Sequence, residues 1–281
     1  MSLCRGLPAK RTHKPQKIFA ALAALALLLT TTASGSPTTA GDEVVAVVNG
    51  EKITLREVER VIREAKVGLQ MASRLRELEP GPSPEQIDAA KLAAALGLDP
   101  GAMSAEEARF YRRLERDLER RKRPPDRNEA FNQLVREEVL YQEAVKRGLG
   151  VSLAEARELQ QQVDEASRKM YEQEGRWQEV LRMEQEGWQA LGYRSREEWK
   201  EAVLPAIARK ASIKRLKDWF EERLAASHPE ARGVDFLVLK ENAWEDYTEH
   251  LLRRAQIHIQ GEGFSLEFYG AAWRDDLLKP Q

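Results

Sequence analysis

Hydrophobic residues recur three and four positions apart along most of the chain, with charged residues between them, and this spacing predicts helices that each bury one face. It is clearest in FNQLVREEVLYQEAVKRGLGVSLAE, residues 131–155, where Phe131, Leu134, Val135, Val139, Ala144 and Val145 form the stripe. Asp126 or Asn128 is placed to cap this central helix. Gly148 and Gly150 offer left-handed backbone to end it, and Lys146 and Arg147 in its last turn face the negative end of the helix dipole. Ser152 and Glu155 then make a capping box for a helix reaching about Gln173.

The same patterning orders the rest. The β-branched run Val44–Val48, ended by Asn49 and Gly50, predicts a strand and a tight turn. Thr54 with Glu57 caps a helix from Leu55 to Leu78, striped by Val58, Val61, Ile62, Ala65, Leu69, Ala72 and Leu75. Three prolines and a glycine break the pattern over 79–84, Ser83 is a cap for a short helix through Leu96, and Ser104 caps another that carries Ala108, Tyr111, Leu114 and Leu118. The remainder of that helix, RRLERDLERRKR, mixes acids and bases at pairing distances and reads as a solvated face, not a nucleic-acid patch.

Trp177, Trp188 and Trp199 are eleven residues apart, close to three helical turns. Gly187 and Gly192 interrupt that register, and Ser195 with Glu198 restarts a helix at Arg196, so the rings are expected to pack separate helices into a core. The new helix continues through Val203, Ile207, Ile213, Leu216 and Phe220, with Pro205 expected to remove one hydrogen bond and bend it. Residues 234–239 suggest a short strand, Trp244, Tyr247, Leu251 and Leu252 a last helix, and 255–259 an edge strand. Phe264, Leu266, Phe268 and Tyr269 suggest a further extended piece with no indicated packing partner.

Composition agrees with long amphipathic helices: the 281 residues are 42% hydrophobic and 32% charged. The first 33 residues hold Arg5, Lys10, Arg11, Lys14 and Lys17 without an acid, followed by the apolar run 18–29. That run has the length of an export-signal core and falls short of the roughly 20 residues of a membrane span. Cleavage after Ala33 and retention as an uncleaved N-terminal anchor, the one membrane contact expected, both remain open; residues 34–43 read as a linker. Without those five bases, 40 Lys+Arg stand against 46 Asp+Glu, a balance of −6 that argues against a general nucleic-acid binder. The single cysteine, Cys4, excludes an internal disulfide and a cysteine-based metal site.

No catalytic chemistry stands out. His13, His228, His250 and His258 lack metal-ligand spacing, and there is no nucleophile elbow, phosphate loop or dinucleotide fingerprint. Acid pairs such as Glu137 and Glu138 are expected on solvated helices in so charged a chain. No catalytic, cofactor or metal residue is assigned, and no cofactor is expected.

Four stretches carry a resemblance. VVAVVNGEKITLREVE, the central helix with its glycine break and capped restart, LGYRSREEWKEAVLPAIARKASIKRL with Gly192, Ser195, Glu197, Glu198 and Trp199, and WEDYTEHLLRRAQIHI occur in that order. Together, over roughly 44–259, they resemble the SurA/PrsA-type extracytoplasmic chaperone module, the SurA N-terminal domain. The resemblance implies a mainly α domain over 44–260 with a small β ribbon joining its two ends, followed by an extension at 261–281.

The family's parvulin prolyl isomerase domain is not found: residues 224–244 leave room only for a link, so no enzyme is expected. What the resemblance then implies is an ATP-independent holdase outside the cytoplasm, binding unfolded or newly exported polypeptides in apolar grooves between helices, with Met170 and Met183 as adaptable contacts. It assigns no client-binding residues. The face of Phe131, Leu134, Val135 and Val139 is expected to be core and not a binding surface. The alternative is a structural helical protein of the cell envelope that binds one dedicated partner through its Trp-bearing region.

Overall fold

The computed structural model describes residues 43–78, 88–99 and 101–278. The expected export signal, the expected linker up to residue 42 and the expected Ser83 cap lie outside the described residues. The chain enters on strand β1 (Val44–Val48) and turns through Asn49 and Gly50 into β2 (Glu51–Thr54). Both turn residues are left-handed, with φ of 50° and 96°, as a two-residue hairpin of matching twist requires. The sequence pattern predicts a strand, a turn and then a helix; the hairpin adds β2 in between. The last strand, β3 (Ile257–Ile259), pairs antiparallel with the free side of β1, Val47 facing His258, so the sheet order is β2-β1-β3. The two ends of the domain meet as expected, and β1 lies in the middle with Val45, Ala46 and Val48 fully buried.

Among the described residues the helices are α1 (Leu55–Leu78), α2 (Ala89–Ala95), α3 (Ala105–Arg121), α4 (Arg127–Lys146), α5 (Leu153–Gln173), α6 (Trp177–Ala190), α7 (Arg196–Ser227) and α8 (Gly233–Arg254). Their starts follow the caps in the sequence. Thr54, Ser104, Asp126 and Ser152 each accept from the third residue on, whose glutamate reaches back to the cap amide. At α7 Ser195 accepts from the Glu198 amide, but the Glu198 carboxylate turns to the Arg194 amide, so the box is half closed. Asp88 caps α2. Of the two glycines after α4 only Gly148 is left-handed, with φ 75°.

Helix α4 is the centre of the fold. Phe131, Leu134, Val135 and Val139 pack in one cluster with β1, with Val58 and Val61 of α1 and with Leu252 of α8. Leu140 and Ala144 continue onto α7 through Leu216, whereas Val145, expected in the stripe, is half exposed. Buried Glu138 of α4 pairs with Arg209 of α7, whose guanidinium lies 4.7 Å from the Tyr141 ring centre. Buried Ser212 of α7 accepts from the Val151 amide at 2.9 Å, clasping the break between α4 and α5.

Two sequence-based expectations change. Residues 234–239 belong to α8 and form no strand. The run is apolar because the helix is covered on two sides: Val234, Leu237 and Val238 pack toward α3, and Phe236 and Leu239 toward α7. A short apolar run has the same composition in either case. The charged stretch of α3 is solvated only in part: Arg112, Arg120 and Arg121 are exposed, but Arg113 and Arg116 turn to α8, as does Arg109 just before them. Arg109 pairs with Glu245 and Asp246 of α8, Arg113 with Glu241 and Arg116 with Glu245, because α8 sets acids opposite them at matching rise. Helix α7 continues through Pro205, whose ring nitrogen has no hydrogen to give the helix.

The tryptophans divide as core residues. Trp188 packs with Trp199 and Val203, and Trp177 joins a separate cluster of Val67, Met71, Tyr171 and Val180. Met170 and Met183, expected as adaptable surface contacts, lie in that same cluster, Met183 being 6% exposed. Leu134→Ala should empty part of the central cluster and destabilise the domain by about 2 to 5 kcal/mol, a large fraction of the total for any domain. A thermal melt should show a clear drop; an unchanged melting temperature would mean that this face carries no core.

Candidate polypeptide-binding cleft

Helix α1 carries more apolar positions than one buried face needs. Val67, Met71 and Leu75 point to α5 and α6 and are buried, while Ala65, Leu69 and Ala72, on the adjoining side, are half-buried. The latter three form one wall of a cleft of about 660 Å³ between α1, α4 and α7, faced by Leu140 and Ile213. Its size is that of a site able to take several side chains of an extended peptide. The rim is charged with both signs. Arg120, Arg121, Arg123 and Glu129 stand at the α3–α4 junction, and Gln133, Arg136 and Glu137 project from α4. The central helix therefore has two working sides: its Phe131 face is core, and its Gln133 and Glu137 side lines the cleft.

Two ionisable groups stand at the cleft floor. Glu64 is 5% exposed, and burial pushes its carboxyl up to about 7 against the opposing pull of Arg60, 3.7 Å away, and of Lys210. Burial also pushes the Lys210 ammonium down, opposed by Glu137 and Glu64. Both shifts favour neutral forms, the expected effect of a floor poor in water. Glu64 occupies a core-facing position of α1, between Val61 and Val67, where a chain with a filled interior would place an aliphatic residue.

One end of the cleft is closed by Tyr269, from the segment after β3. Its ring centre lies 4.3, 5.1 and 5.2 Å from the guanidinium carbons of Arg116, Arg120 and Arg136, and its hydroxyl accepts from Arg120 at 2.7 Å. Cation–π contacts of this kind hold a ring by its face.

The residues considered for catalysis are scattered. His228 lies 3.4 Å from Glu230, His250 packs beside Trp273, and His258 is exposed on β3. Glu137 lines the cleft and Glu138 is buried against Arg209, so that acid pair is split between two environments. Among the described residues no group of three His, Cys, Asp or Glu is placed to hold a metal ion, and no helix is long and apolar enough to cross a membrane. Comparison with family models, with curated proteins and with solved structures finds no match to the chain.

The cleft itself was not assigned from sequence. The available signal was the second apolar row of α1: Val67 and Met71 lie outside the stripe through Ala65, Leu69 and Ala72, and a helix with two rows needs two sets of partners.

Glu64 gives the fold a pH dependence of definite sign. Its unfolded carboxyl titrates at the ordinary 4.5 and its folded one at about 7, so the folded state holds the proton more tightly. Its contribution to stability is greatest below the lower value and falls as pH rises through that window, by no more than about 3 kcal/mol. Glu64→Gln should melt close to the parent at pH 4.5 and above it at pH 8. Parallel melting curves for the two proteins across this range would remove Glu64 as the cause.

Proposed function

We propose that the chain is an ATP-independent chaperone that holds unfolded or newly exported polypeptides outside the cytoplasm, a SurA/PrsA-type module without the isomerase domain. The observation that carries this reading is the row Ala65, Leu69 and Ala72, an apolar wall left facing a cleft whose rim bears charges of both signs. Apolar surface captures exposed side chains of a client without regard to order, and a mixed rim accepts flanking charges of either sign.

The magnitudes suit reversible holding. Two or three client side chains buried at about 1.5 to 3 kcal/mol each gain roughly 3 to 9 kcal/mol, and the ordering of client and rim side chains subtracts from that. What remains corresponds to micromolar or weaker dissociation constants, from which a client leaves without energy input. The extracytoplasmic setting rests on the composition of the first 33 residues.

The test is suppression of aggregation by the pure protein, with chemically unfolded proteins of unrelated sequence as clients. Delayed aggregation of several of them is the expected result. Leu69→Asp, which places a charge on the half-buried cleft wall, should weaken the effect at least several-fold while leaving the melting temperature within a few degrees, since a single apolar contact of about 1.5 to 3 kcal/mol is lost from the site. Activity toward none of the clients would favour the dedicated-partner alternative.

A further inference from the structure

The segment after β3 has no helix or strand of its own over 264–274, yet it is held along its length. Its main chain is read by side chains. The Ser265 amide donates to Asn128 Oδ1 at 2.9 Å, and its carbonyl accepts from Asn132 Nδ2 at 2.8 Å. The Glu267 amide donates to Asn132 Oδ1 at 2.8 Å, and its carbonyl accepts from Arg136 at 2.6 Å. The Tyr269 amide then donates to Glu249 at 3.0 Å and the Ala271 amide to Asp246 at 2.5 Å, both acids lying on α8.

The contacts fall on residues 265, 267, 269 and 271, the period of an extended strand. Asn128, Asn132 and Arg136 are four residues apart on α4, which advances about 6 Å, while two strand residues advance about 6.6 Å, so helix and strand stay in step. The Asn132 carboxamide spans the Ser265 carbonyl and the Glu267 amide as one residue of a parallel neighbouring strand would. This is strand addition with side chains in place of the second strand.

Side chains add three requirements. Phe264 packs with its ring tilted against fully buried Phe131, centroids 4.9 Å apart, and Leu266 packs on the same cluster. At Gly270 a Cβ would overlap the Glu249 side chain and come within 3.0 Å of the Glu245 carbonyl, so that position takes glycine alone. Asn132, Arg136 and Tyr269 also border the cleft, which makes seat and cleft contiguous.

We infer that this seat is an extended-peptide site continuous with the cleft, and that residues 264–271 occupy it as an internal pseudo-client. Its trans ligand is an unstructured polypeptide segment with an aromatic residue, an aliphatic residue two positions on and a glycine four beyond that. The seat exchanges occupants and does not stand empty, because departure of Phe264 uncovers Phe131 to water and only an incoming apolar ring covers it again. The inference deepens the holdase reading and rests on it for the identity of the client, while the peptide site itself stands on the tail's contacts.

The probe is a synthetic peptide of residues 262–272 carrying heavy isotopes, added in excess to the unmodified protein while deuterium uptake is followed by mass spectrometry. Uptake over 264–271 of the chain should rise as the peptide displaces the tail. Unchanged uptake at millimolar peptide overturns the inference. As a second measurement, binding of the fluorescently labelled peptide is titrated against the parent and against two variants. Gly270→Ala pushes the tail from α8, and Tyr269→Ala removes the ring between the arginines while keeping every main-chain donor.

A tethered occupant competes at an effective concentration near millimolar, so either variant that remains folded should bind the peptide at least about tenfold more tightly than the parent. Equal affinities overturn the inference. Aggregation assays on the same proteins separate the two readings. Peptide exchange without aggregation suppression by any of them sinks the holdase function and leaves the peptide site; suppression without exchange does the reverse.

Discussion

The fold depends on burying one face of α4. Phe131, Leu134, Val135 and Val139 are all less than 6% exposed, and they are covered from four directions by β1, α1, α8 and the segment after β3. Those four elements come from the two ends of the domain. Because α4 alone cannot bring them together, the three-stranded sheet does, with β1 bonded on one side to its hairpin partner and on the other to β3. Neither flanking strand exceeds four residues, which is too little for a sheet to stand by itself. The sheet and the central helix therefore support each other, and the chain ends are fixed by the core that they complete.

Charge organises the layer outside that core. The arginines of α3 reach acids on α8, and buried Glu249 of α8 pairs with Arg136 of α4 at 2.7 Å while also accepting from Tyr269. Few of these pairs are exposed enough to be negligible. Arg109 and Asp246 have side chains 18% and 12% accessible, and removing one member would leave the other partly buried and uncompensated. The same acids hold the tail's amides, so the salt-bridge layer and the tail form one hydrogen-bonded unit. A chain that is 32% charged can bury so much charge only by pairing it in this way.

Much of this was legible because its causes are local. The caps at Thr54, Ser104, Asp126 and Ser152 are decided by residues three apart, and the Asn49-Gly50 turn by the backbone freedom of its two residues. The meeting of β1 with β3 followed from the resemblance and from the liability of unpaired edges. What failed depends on partners distant in sequence. Whether residues 234–239 extend or coil turns on α3 and α7 covering two sides, and whether α3's arginines face water turns on acids more than 120 residues away. The tail was illegible for a related reason: its main chain carries the recognition, and every residue has the same main chain. The cleft escaped because a single helical stripe accounted for α1's fold without its second row.

The cleft raises a physical question, since apolar walls facing each other should close. Bringing α1 onto α4 would bury Leu69 and Ala72 more fully against Leu140, already buried, a gain of at most about 1.5 to 3 kcal/mol for the leucine. The same motion would strip water from Arg136, Glu137 and the arginines at the α3–α4 junction, at several kcal/mol for each ion without an ideal partner. Glu64, already pushed toward neutrality at the floor, adds to the resistance, because closure removes the remaining solvent from a group that burial has made costly to ionise. The second cost outweighs the first, and α1 remains held apart from α4 along its middle. Under the proposed function an incoming polypeptide would meet a different balance, filling the space between the walls with apolar side chains while the rim charges keep their water. In the proposed holdase reading, the charged residues that keep the cleft from collapsing leave its apolar surface to a client, since none of the described residues fills it.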